Sequence, residues 1–152
     1  MNDRSGPRLD LRAHATAAYR DLVTLGRTVC AQLDPRLHEL VKVRASQING
    51  CAFCIDMHAR EARAAGESEQ RLYVLSAWRD VPFFSEAERA ALALTEALTE
   101  LGEGHVPDAV YRRAAAHFDD ETLAALLFAI ATINAWNRLS IAARMSPGCH
   151  RP

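Results

Sequence analysis

From about residue 10 onward, apolar residues return every three or four positions, the period of a helix that buries one face. The clearest stretch is Ala87, Ala90, Ala91, Leu94, Ala97, Leu98 and Leu101. Ser85-Glu86-Ala87-Glu88 precedes it as a capping-box pattern, and Gly102 is able to end it. No stretch alternates with period two between turn residues, so strands are not expected.

The pattern predicts seven helices. The first covers about residues 10 to 32. The second starts at Asp34-Pro35, a cap followed by proline at the first helical position, and ends near Asn49-Gly50. The third begins around Cys51 and stops at Gly66. The fourth follows Ser68 and closes before Val81-Pro82. The fifth is the capped segment above, the sixth starts near Pro107, and the seventh runs from about Asp119 to Met145. The fold class is therefore all-α, a bundle of about six to seven helices. Between Leu123 and Ile133 the seventh helix is apolar on every side, which requires the centre of the bundle or a subunit interface. A homo-oligomer is expected. On the same helix, Asn134, Trp136, Asn137 and Arg138 are expected to make core or interface hydrogen bonds, because buried polar groups must be paired.

Composition narrows the picture. The 152 residues suit one domain, residues 1–152, and an apolar fraction of 49% suits a folded chain. A net charge of −1, with 18 basic and 19 acidic residues interspersed, argues against a nucleic-acid partner, which would need a concentrated basic surface. The N-terminal segment Met1 to Pro7 does not read as an apolar leader, and the longest apolar run, Leu123 to Ile133, interrupted only by Thr132, falls short of the roughly 20 residues that span a bilayer. A cytoplasmic protein without membrane association is expected. Cytoplasmic thiols are kept reduced, so a close cysteine pair there indicates redox chemistry or metal binding.

Such a pair is present in Asn49-Gly50-Cys51-Ala52-Phe53-Cys54-Ile55-Asp56-Met57-His58. Gly50 ends one helix and the cysteines open the next, where unpaired backbone N–H groups favour a thiolate. Cys51, Cys54 and His58 share one stripe of the helix. The rise from Cys54 to His58 is about 6 Å, so the imidazole could take the thiol proton directly or through a water. Unequal roles follow: Cys54 would attack a peroxide O–O bond and become a sulfenic acid, and Cys51 would close the disulfide. An external dithiol would reopen it. Zinc is the sharper alternative, with Cys51, Cys54 and His58 as ligands completed by His38 or Glu39. Cys30, in the first helix, is expected to fill core, Met57 to pack, and Cys149 to be a free tail thiol beside His150.

The run Glu39 to His58 closely resembles the AhpD-like alkylhydroperoxidase family of the carboxymuconolactone decarboxylase superfamily. The likeness continues through Glu61 to Glu67, Ala77-Trp78-Arg79, Phe84 to Leu92 and Ala129 to Arg138, covering about residues 35–145. Glu39, Cys51, Cys54 and His58 match the family pattern of a glutamate, a Cys-x-x-Cys and a following histidine. The resemblance implies a thiol-dependent peroxidase acting on hydroperoxides without metal or organic cofactor. Cys54 would be peroxidatic and Cys51 resolving, with Glu39 and His58 as proton relay. It also implies a trimer or hexamer, and a dithiol or lipoyl-carrying protein as reductant. The peroxidase branch often has histidine where this chain has Phe53, which implies a drier site and a shorter relay. Three other readings stay open: a non-peroxidase thiol–disulfide sensor, a structural zinc protein, and a decarboxylase of the branch that usually lacks the cysteine pair.

Overall fold

A computed structural model describes residues 6–148. Among them lie eight α-helices and one 3₁₀ helix, and no strand. The α-helices are α1 (Leu11–His14), α2 (Thr16–Cys30), α3 (Pro35–Asn49), α4 (Ala52–Ala64), α5 (Glu69–Tyr73), α6 (Glu86–Thr99), α7 (Asp108–Ala115) and α8 (Asp120–Ala143). The 3₁₀ helix covers Leu75–Asp80, between α5 and α6.

Two of the expected helices are divided. The first breaks at Ala15, whose φ of −136° and ψ of 44° are not helical. No α1 residue is buried, so no packing holds α1 in line with α2. The fourth becomes α5 and the 3₁₀ helix, with a non-helical Ala77. The Arg89 guanidinium donates to the carbonyls of Trp78, Arg79 and Val81 at 3.1, 2.8 and 3.1 Å, serving oxygens that the broken helix leaves unpaired. By contrast, the capping box of α6 forms as expected: Glu88 N–H donates to Ser85 Oγ at 3.2 Å and Ser85 N–H to Glu88 Oε2 at 2.7 Å.

The core is built on α3, α6 and α8. One apolar cluster joins Leu37, Val41, Ala91, Leu94, Leu126 and Ile130, and a second gathers Leu40, Val43, Leu75, Phe84 and Leu92 around Trp78. Beside that tryptophan, Glu96 accepts from Trp78 Nε1 and Arg44 Nε, both at 2.8 Å, and also pairs with Arg79. Burial pushes the Glu96 carboxyl up, but these donors outweigh it and hold it below its ordinary value.

By length and composition alone α8 could cross a membrane, longer than the apolar run inside it suggested; half of its most apolar window is buried within the bundle. One stripe of α8 stays uncovered: Ala124, Phe128, Ala131, Leu139 and Ala142 are exposed, Phe128 at 57% and Leu139 at 39%.

Candidate active site

The site is a helix hairpin. The Asp34 side chain caps α3 by accepting from the Arg36 and Leu37 N–H groups, each at 3.0 Å. At the far end Gly50 takes the left-handed conformation, φ 70°, that a side chain would strain. Cys51 then caps α4, with the Cys54 N–H directed at Cys51 Sγ at 3.3 Å. Because α4 packs back along α3, Glu39 and His58, 19 residues apart in sequence, meet.

Cys51 and Cys54 form a disulfide with Cα atoms 5.4 Å apart. Both are buried, at 2% and 1% exposure, among Phe53, Met57 and Met145. His58 Nδ1 lies 3.0 Å from Glu39 Oε2 and 2.8 Å from Glu61 Oε2. Lys42 Nζ donates to Glu39 Oε1 at 2.7 Å and stands 3.8 Å from Glu61. Burial pushes the Glu39 carboxyl up, but the His58 hydrogen bond and the Lys42 ammonium outweigh it and bring it down to about 2. Glu39 is thus a fixed anion near neutral pH. Among the described residues no hydrogen bond joins His58 to either sulfur.

Next to Glu39, His38 is 2% exposed and its Nδ1 has no hydrogen-bond partner, the nearest acid being Glu39 Oε1 at 3.7 Å. Burial, then the charge of Lys42, lower its pKa to about 4. His38 is therefore neutral at pH 7.

A cavity of about 570 Å³ opens beside the hairpin. His38, Glu39, Lys42, His58 and Glu61 form its polar wall; Tyr19, Val23, Phe53, Met57, Ile133 and Trp136 are among its apolar lining. The sulfurs themselves do not line it. Cys30 does, as a partly exposed free thiol, so it is a wall residue of a pocket and not the sealed core filler expected from its neighbours. Cys149 and His150 lie outside the described residues.

The alternative zinc set is not assembled, since the sulfurs are bonded to each other and His58 Nδ1 faces carboxylates. Glu39, His58 and Glu61 could instead hold a cation, one ligand atom from each lying within 4.8 Å of the others. The Lys42 ammonium already serves part of that negative charge.

Asn134 and Asn137 make the expected core hydrogen bonds. Asn49 Nδ2 donates to both side-chain oxygens, at 2.9 and 2.8 Å, and Asn137 donates on to Ser46 Oγ at 2.9 Å. The network ties the end of α3 to α8 just before the cysteines. Arg138 donates to the Asn134 carbonyl at 3.0 Å, while Trp136 stacks edge-on against Tyr19 and lines the cavity. The sequence reading passed over Lys42 and Glu61. Each sits one helical turn after a site residue, Lys42 after Glu39 and Glu61 after His58, and that spacing was the available signal.

Comparison with known proteins gives a consistent picture. Residues 13–97 match the carboxymuconolactone decarboxylase family. Uncharacterized protein YdfG of Bacillus subtilis is 52% identical over 104 residues, 68% of this chain and 71% of that one. Uncharacterized protein YnjA of Escherichia coli is 37% identical over 94 residues, 62% of this chain and about half, 51%, of its own length. A crystal structure of a protein of unknown function from Agrobacterium tumefaciens, a proposed antioxidant defence protein AhpD, superposes with a TM-score of 0.90 at 37% identity, covering 95% of this chain and 100% of that one.

Proposed function

The chain belongs to the carboxymuconolactone decarboxylase family as an AhpD-like member, and we propose that it is a thiol-dependent peroxidase that reduces hydroperoxides through Cys54 and Cys51. The observation that carries this reading is a Cys-x-x-Cys disulfide at the start of α4, on the same hairpin as an imidazole held by a permanent carboxylate.

The chemistry follows from that arrangement. Glu39, anionic and anchored by Lys42, orients His58 through Nδ1. Nε2 is left to exchange a proton with the Cys54 thiol, directly or through a water. The Cys54 thiolate attacks the hydroperoxide, the O–O bond breaks, and an alcohol leaves with a sulfenic acid on Cys54. Cys51 displaces water from that sulfur and closes the disulfide. A dithiol, of the lipoyl type by family likeness, reopens it by exchange. No metal or organic cofactor takes part in this cycle. The uncovered apolar stripe of α8 supports assembly as a homo-oligomer, and the family likeness alone suggests a trimer or hexamer.

The test is stoichiometric. Reduced protein given cumene hydroperoxide is expected to lose the Cys51 and Cys54 thiols together, to regain both with dithiothreitol, and to consume hydroperoxide continuously when both reagents are present. A disulfide that forms and reopens without hydroperoxide turnover would identify a thiol–disulfide sensor instead.

A further inference from the structure

His58 Nδ1 has one proton to offer and two carboxylates in reach, Glu39 Oε2 at 3.0 Å and Glu61 Oε2 at 2.8 Å. Their surroundings differ. The Glu39 side chain is 9% exposed, and its second oxygen holds the Lys42 ammonium. With a pKa of about 2 it does not take up a proton near neutral pH, so it orients the ring without carrying anything away from it. The Glu61 side chain is 45% exposed and lines the cavity. Of the two groups bonded to His58 it is the one that also meets solvent. Lys42, 3.8 Å off, draws it toward the same polar wall without the close bond that fixes Glu39.

We propose that Glu61 is the proton port of the site, the carboxylate that takes and returns the Nδ1 proton of His58 and exchanges it with solvent. This rests on the peroxidase reading above. In the oxidation step the Cys54 S–H bond breaks and its proton goes to Nε2, directly or through a water, while the Nδ1 proton passes to Glu61. The sulfur lone pair forms the S–O bond and the O–O bond breaks. The departing alkoxide takes the proton from Nε2 as Glu61 restores one to Nδ1. The sulfur is oxidised, the hydroperoxide is reduced, and thiol plus hydroperoxide become sulfenic acid plus alcohol with every proton accounted for. Two carboxylates on one nitrogen thus divide the work, one holding the ring and one connecting it to water. Glu61 acts through His58 and is a positioning and relay residue.

The experiment measures single-turnover oxidation of the reduced full-length protein by cumene hydroperoxide, in dilute buffer and with added imidazole, for wild type, Glu61→Gln and Glu61→Asp. The glutamine variant is expected to be slowed about tenfold, below a full general acid–base contribution because His58 remains. Imidazole should restore its rate progressively while leaving wild type unchanged, and the aspartate variant should stay near wild type. A merely structural role would not be repaired by a soluble proton carrier. Wild-type oxidation matched by Glu61→Gln, or a slow Glu61→Gln that imidazole does not rescue, would overturn the port alone. A wild type that leaves the hydroperoxide untouched would overturn the peroxidase reading and the port with it.

Discussion

The sulfur of Cys51 caps the helix that carries Cys54, with the Cys54 N–H directed at it from 3.3 Å. The two sulfurs are therefore inequivalent. The helix N-terminus favours negative charge on Cys51, the better leaving thiolate when the disulfide is attacked. A thiol is thus expected to add to Cys54 and release Cys51. Partial reduction with a monothiol, in a Cys30→Ser background, followed by acid quench and peptide mapping, should find the adduct mainly on Cys54. An adduct mainly on Cys51 would contradict this assignment.

Access to those sulfurs is limited by Phe53, itself only 8% exposed and packed against both cysteines. Phe53→Ala should accelerate reduction of the disulfide by a bulky dithiol. It should also cost about 3–5 kcal/mol of stability, the usual range for emptying a buried phenylalanine site. Stopped-flow reduction and denaturant unfolding check the two effects separately; slower reduction in the variant would show that Phe53 does not obstruct the path.

Acid should destabilise the fold in two stages. His38, lowered from 6.5 to about 4, leaves the unfolded chain with more bound protons than the native one once pH falls below 6.5. Its stabilising contribution is complete above that value and lost as pH approaches 4. Glu39, lowered from 4.5 to about 2, extends the loss from pH 4.5 downward. Unfolding measured from pH 7 to pH 3 should show stability falling from about pH 6.5 downward, and His38→Phe should flatten the segment between pH 6.5 and 4. An unchanged slope there would remove His38 from the account.

Much of the frame was legible along the chain. Asp34 and the Ser85/Glu88 box cap helix starts with their side chains, and Gly50 ends α3 through its left-handed backbone, because caps are local chemistry. The division at Ala15 was not legible, since it depends on α1 finding nothing to pack against. At the site, Cys51, Cys54 and His58 stood out by spacing within one helix, whereas the relay role of Glu39 came only by resemblance, because a chain reversal at Gly50 separates it from His58. The cavity role of Cys30 was hidden for the same reason: it arises where α2 meets other helices, and neighbouring residues in sequence carry no record of that.

The apolar stripe on α8 should hold subunits together. Phe128→Glu combined with Leu139→Glu is expected to lower the mass seen by analytical ultracentrifugation while leaving far-UV circular dichroism unchanged. An assembly of undiminished mass would place the interface elsewhere.

The most direct test of the peroxidase account compares Cys54→Ser with Cys51→Ser in hydroperoxide consumption supported by dithiothreitol, with a dimedone trap for sulfenic acid. Cys54→Ser should abolish turnover and give no trapped product at the site, and Cys51→Ser should accumulate one sulfenic acid, mapped to Cys54. Full turnover in Cys54→Ser would contradict the account.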